Sequence, residues 1–135
     1  MNQCHLHHIH LFCENISVTI KWWQENLDAT ICFDGAMGGS RNVFMRVGEG
    51  RLHLYDQKPK GISKSAIHHV GIRVDDINKV VSNMKSNGVS FRNAIRYFDG
   101  WAYVMCLAPD SVLLEIFEVS GTLNDKDLDE YFSDL

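Results

Sequence analysis

Three histidines and one glutamate, at matching points of a strand pattern that occurs twice, are the residues of this chain best suited to chemistry. Leu6-His7-His8-Ile9-His10-Leu11 is answered by Ile67-His68-His69-Val70-Gly71-Ile72. Arg51-Leu52-His53-Leu54-Tyr55 is answered by Leu113-Leu114-Glu115-Ile116-Phe117. The offsets nearly agree: His69 follows His8 by 61 residues, and Glu115 follows His53 by 62. A repeat of this period marks two copies of one supersecondary unit packed together. Imidazole nitrogens with one carboxylate suit a divalent transition metal. His8, His53, His69 and Glu115 are therefore the candidate ligands.

Strands and helices must position them. Residues 5–13 alternate and predict a strand, with Ile9 and Leu11 on one face and His8, His10 and Phe12 on the other. Residues 15–28 predict a helix capped by Asn15 or Ser17, with Ile16, Ile20, Trp23 and Leu27 at helical spacing. Strands follow at 29–34, 43–47 and 51–55. Three lysines, Pro59 and Gly61 mark 57–65 as a linker. The second unit repeats the order: a strand at 67–74, a helix at 77–87 capped by Asp75 or Asp76, and strands at 91–95, 102–107 and 112–119. Gly88 ends that helix in a left-handed conformation. Pro109-Asp110 turns the last hairpin. The acidic tail, 120–135, holds a short helix capped by Asn124 or Asp125 that docks or frays at the surface.

Alternation then tests whether the four ligands can meet. Leu52 and Leu54 face the first helix, so His53 faces away, as His8 does. Val70, Ile72, Leu114 and Ile116 face the second helix, so His69 and Glu115 face away. All four lie on the faces that the helices leave open. An unpaired Glu115 within so apolar a strand would be costly, which favours a partner for it. His5, His7 and His68 read as surface groups or as supports behind the ligands. His10 shares the parity of His8 and lines the same face.

A chain of 135 residues suits one domain, and a net charge of −4 argues against nucleic acid or an anionic membrane as partner. No apolar run spans a bilayer, and the N-terminus has no secretory pattern. Cys4, Cys13, Cys32 and Cys106 are scattered, as reduced thiols of a cytoplasmic protein are.

These residues resemble the vicinal oxygen chelate superfamily, which includes glyoxalase I, methylmalonyl-CoA epimerase, fosfomycin-resistance thiol transferases, extradiol dioxygenases and bleomycin-resistance proteins. The resemblance covers about residues 5–119. It rests on Leu6 to Leu11 with Asn15-Ile16, on His69-Val70-Gly71-Ile72-Arg73-Val74 with Asp75-Asp76-Ile77, and on Ala108-Pro109-Asp110-Ser111-Val112 running into Leu113 to Phe117. Trp23-Gln24-Glu25-Asn26-Leu27 resembles the end of the family's first helix. The resemblance implies an α+β fold of two βαβββ modules, 5–56 and 66–119, whose curved mixed sheets enclose a shared cavity. It implies one divalent ion (Ni, Zn, Co, Mn or Fe) on His8, His53, His69 and Glu115, chelating two neighbouring substrate oxygens. It also implies a homodimer. The departure is His53, where the glyoxalase I branch generally has Glu. A divalent ion with one anionic ligand is formally +1, which strengthens its hold on developing oxyanions and leaves one carboxylate fewer to act as base.

The expected activity is that of a glyoxalase-like lyase or isomerase on a small substrate, through an enediolate-type intermediate. Glu115 is the candidate for moving a proton next to a carbonyl. His10, Arg46, Arg73 and Tyr103 are candidate substrate contacts. The alternatives keep the fold. One is a dioxygenase or thiol transferase using His8, His69 and Glu115 alone; the other is a metal-free small-molecule binding or resistance protein. A thiol transferase usually carries a cation-binding loop, and none is recognisable in residues 93–101.

Overall fold

The computed structural model describes Cys4, residues 6–61 and residues 66–132. Residues 1–3, His5, linker residues 62–65 and tail residues 133–135 lie outside the described residues. The chain divides into two compact units, Met1–Ala66 with Ala108–Ser111, and Ile67–Leu107 with Val112–Leu135.

The first unit runs β1 (Ile9–Cys13), α1 (Ile16–Leu27), β2 (Thr30–Met37), β3 (Ser40–Val47) and β4 (Gly50–Asp56). Its sheet has the order β1-β4-β3-β2, with β1 parallel to β4 and the other pairs antiparallel. Asn15 caps α1 by accepting from Val18 N–H at 3.2 Å. Leu52 and Leu54 turn to the face that packs on α1, where Ile16, Ile20 and Trp23 complete the core.

The second unit repeats this order with β5 (Val70–Arg73), α2 (Ile77–Ser86), β6 (Arg96–Phe98), β7 (Trp101–Ala108) and β8 (Val112–Val119), followed by α3 (Lys126–Phe132). The sheet order is β5-β8-β7-β6, again with the first and last strands of the module parallel. Asp76 caps α2 on Lys79 N–H at 3.0 Å. Leu114 and Ile116 are fully buried with Ile77 and Met84 of α2. Gly88 takes the left-handed φ of 89° expected after this helix. The fold is the expected α+β pair of βαβββ modules.

One strand is displaced. Residues 91–95 form no strand; the edge strand is Arg96–Phe98. Phe98 pairs directly with Trp101 across a two-residue turn, Asp99-Gly100, in which Gly100 has φ 81°. Asp-Gly between two short strands is a strong hairpin signal, and it outweighs the mixed segment Phe91-Arg92-Asn93-Ala94-Ile95.

Among the described residues no helix is long and apolar enough to cross a membrane. Cys13 and Cys106 are buried, and burial raises both thiols, that of Cys106 to about 11. Cys4 and Cys32 are exposed. A thiol reagent should therefore titrate two groups in the native protein and four after denaturation. Rapid native labelling of all four would contradict this core.

Candidate metal site

In the first unit the register builds one aromatic face. His10 stands beside His53, and His53 beside Phe44, across three adjacent strands. The His53 ring is stacked between them, 4.1 Å from His10 and 4.4 Å from Phe44, each tilted by 30°. His8 meets His53 edge-on at 5.9 Å. With metal–nitrogen bonds of about 2.1 Å, two imidazoles on one ion have centroids at most ~6.4 Å apart. The His8–His53 spacing fits that limit. His10 lies against the ring face of His53 instead and walls it in.

Asn42 orients His53. Asn42 Nδ2 donates to the carbonyls of Met37 and Ser40, both at 3.0 Å. Its Oδ1 is therefore the acceptor, and His53 Nε2–H donates to it at 2.6 Å. This network assigns the proton of neutral His53 to Nε2 and leaves Nδ1 as the free donor atom. Such a partner behind a ligating imidazole fixes its tautomer and raises its basicity. Sequence reasoning misses Asn42. A signal exists: it stands just ahead of the alternating run Val43 to Val47, on the parity of Phe44.

In the second unit His69 Nε2 lies 3.6 Å from Glu115 Oε2, with their side chains 34% and 26% exposed. Two donors on one ion at tetrahedral or octahedral angles lie about 3.0–3.4 Å apart, so this pair is within a few tenths of an ångström of ligand spacing. Gly71 sits directly opposite Glu115, and the Phe117 ring packs against it, 3.4 Å from where a Cβ would stand.

The sequence repeat reappears as geometry. His7 Nδ1 lies 3.1 Å from His8 Nδ1, with rings 5.3 Å apart at 87°. His68 Nδ1 lies 2.9 Å from His69 Nδ1, with rings 5.2 Å apart at 83°. In each unit the preceding histidine engages Nδ1 of the candidate ligand, and Nε2 of His69 turns to Glu115. Among the described residues no group of three or more His, Cys, Asp or Glu is close enough to hold a metal ion. The candidate ligands come as two pairs, one in each unit.

The candidate substrate contacts are distributed as follows. His10 stacks on His53. Arg46 lies opposite Arg51, on the parity of His53. Tyr103 joins a row of near-parallel rings with Trp101 and Phe98, and Arg96 Nη1 donates to its hydroxyl at 3.3 Å. Arg73 Nη1 donates to the carbonyl of Phe132, tying β5 to the end of α3. The tail is docked on its own unit: Ser120 N–H donates to Gly100 O at 2.9 Å, and Asp125 caps α3 on Leu128 N–H at 3.1 Å. Sequence alone does not show that Leu123, Leu128 and Phe132 line a cavity with Glu115.

Burial lowers the His53 pKa, and the neighbouring His10 and His8 lower it further. Above about 6.5 this imidazole is neutral in folded and unfolded chains alike. As the pH falls below that value the unfolded chain takes the proton first, and stability is lost down to the folded pKa. Metal-free protein should therefore lose more stability between about pH 7.5 and 5.5 than its His53→Gln variant, as urea midpoints would show. Equal losses would contradict this environment for His53.

Comparison with known proteins agrees with this fold. A glyoxalase family protein from Enterococcus faecalis superposes with a TM-score of 0.70 at 18% identity, covering 84% of this chain and 97% of that one. The fosfomycin resistance protein FosX from Mesorhizobium loti gives 0.68 at 16% identity, covering 92% and 97%. A mutant of Listeria monocytogenes FosX, complexed with Mn(II) and 1S,2S-dihydroxypropylphosphonic acid, gives 0.69 at 17% identity, covering 90% and 96%. At such identities the likeness is one of fold. No curated protein matches the chain. The model of one sequence family does match, over residues 5–116, and takes in all four candidate ligands: the chain belongs to the Glyoxalase/Bleomycin resistance protein/Dioxygenase superfamily.

Proposed function

We propose that His8, His53, His69 and Glu115 together hold one divalent ion (Ni, Zn, Co, Mn or Fe), and that the protein is a glyoxalase-like lyase or isomerase. On this reading, modules 5–56 and 66–119, joined by linker 57–65, form one domain with a shared cavity. The observation that carries it is the twofold recurrence of a histidine pair with the same geometry, each beside a second candidate ligand. The Mn(II) in the Listeria FosX complex supports a divalent ion in this fold.

When bound, a divalent cation stabilises negative charge on two adjacent substrate oxygens. The chain's own residues do the rest. Glu115, open to the cavity on the strand next to Gly71, takes and returns a proton at the carbon beside the substrate carbonyl. Asn42 and the stacked pair His10 and Phe44 hold the His53 ring in place. Arg46 and Tyr103 contact the substrate from the two faces, and Arg73 fixes α3 over the second. Exposed Ile31, Phe33 and Met37 on edge strand β2 favour a homodimer, because an apolar edge invites pairing. We place the protein in the cytoplasm.

The test is deuterium exchange at the carbon beside the carbonyl, with 2-oxoaldehyde–thiol adducts and other enolisable carbonyls and metal-loaded protein. Exchange that requires Glu115 is expected. A metal-loaded protein that exchanges none of them would exclude this reaction. A second reading has its own support: His53 is stacked on both sides and its Nε2 is committed to Asn42, which leaves His8, His69 and Glu115 as a two-histidine, one-carboxylate set. That set suits a dioxygenase or thiol transferase.

A further inference from the structure

The second unit contains a cavity of about 410 Å³ that has Glu115 at its wall. The size falls within the range of small-molecule sites. Its apolar lining comes from two sources: Trp101 and Phe117 from the sheet, and Leu123, Leu128 and Phe132 from the folded-back tail. Trp101 belongs to a row of near-parallel rings, 4.5 Å from Phe98 at 12° and 5.5 Å from Tyr103 at 15°. Rings held parallel in this way offer a flat surface on which another ring can stack.

Asp99, Asp125 and Glu115 line this cavity, and among the described residues no lysine or arginine does. Arg73, which shares the parity of Glu115, donates to the Phe132 carbonyl and holds the tail in place. Gly100 fits under the tail so closely that a Cβ there would come within 2.7 Å of Leu123 Cδ2. The tail is therefore part of the wall, and it brings one acidic residue, Asp125, to the lining beside Asp99 and Glu115.

We propose that this cavity is a specificity subsite for a flat aromatic group that is uncharged or cationic, and that it rejects anionic rings. The proposal rests on the reading of Glu115 as part of the reaction site, since the aromatic group would lie beside the reacting atoms. It deepens that reading by naming the substrate class.

Calorimetric titration of the full chain with 2-naphthol, (2-naphthyl)methylammonium and 2-naphthoate tests it, with and without chelator. The neutral and cationic probes should bind, and naphthoate should bind at least about tenfold more weakly than the ammonium. Trp101→Ala should weaken naphthol at least about tenfold through lost stacking area. Leu128→Lys, at a half-exposed position on a short surface helix, should reverse the preference between ammonium and naphthoate without disturbing the core. Naphthoate binding wild type as tightly as the ammonium would overturn the proposal. So would a preference that Leu128→Lys leaves unchanged. Metal content measured on the same samples separates the two readings. Probe binding that persists in chelator supports the cavity whatever the ion does, and metal retention without probe binding removes the subsite while leaving the metal site intact.

Discussion

Glu115→Gln should abolish proton exchange, with a loss of about a thousandfold or more in turnover, while the protein stays folded. The amide keeps the size of the side chain but cannot accept a proton, and it is a poor ligand for a hard divalent cation. The side chain is partly exposed on the open face of β8, and the core beneath it is made by Leu114 and Ile116. Its replacement therefore removes chemistry and not packing. Unchanged circular dichroism beside lost exchange is the expected result. Exchange within about tenfold of wild type would move the proton-transferring role to another residue.

His53→Ala should weaken the metal by about a hundredfold or more, read by competition against a chromogenic chelator. One imidazole ligand is lost, and the loss of a group that merely orients a ligand already costs about 10- to 100-fold. Asn42→Ala gives the comparison. It should fall in that smaller range, because Nδ1 of His53 survives while its tautomer and direction are freed. It should also cost stability, since the Met37 and Ser40 carbonyls lose their donor. If His53→Ala keeps wild-type metal affinity, the ion belongs to His8, His69 and Glu115, and dioxygenase or transferase chemistry takes precedence.

What is legible in the sequence is local. The caps at Asn15 and Asp76 follow from short side chains just ahead of apolar stripes, and both accept the expected backbone N–H. The parity of His53 and Glu115 follows from the period of two in a strand, and Leu52, Leu54, Leu114 and Ile116 are buried opposite them. His8 and His69, by contrast, each stand one residue ahead of β1 and β5, inside the expected strands 5–13 and 67–74 but outside the observed ones. The strand at Arg96–Phe98 escapes a reading that places it at 91–95 and passes over the Asp99-Gly100 turn that fixes the hairpin. The contribution of the tail is not legible, for a different reason. Leu123, Leu128 and Phe132 are three apolar residues in an acidic segment. Nothing within that segment shows that Gly100 and Arg73, far away in sequence, receive it. The bond from His53 to Asn42 is likewise a diagonal contact between two strands, set by register and not by spacing along the chain.

The measurement that bears most directly on the central claim is metal content by plasma mass spectrometry, on protein purified without a histidine tag and after reconstitution. The account predicts about one divalent ion per chain, lost when either His53 of the first unit or Glu115 of the second is replaced. A protein that binds no ion even after reconstitution would contradict it and leave a metal-free small-molecule binding protein.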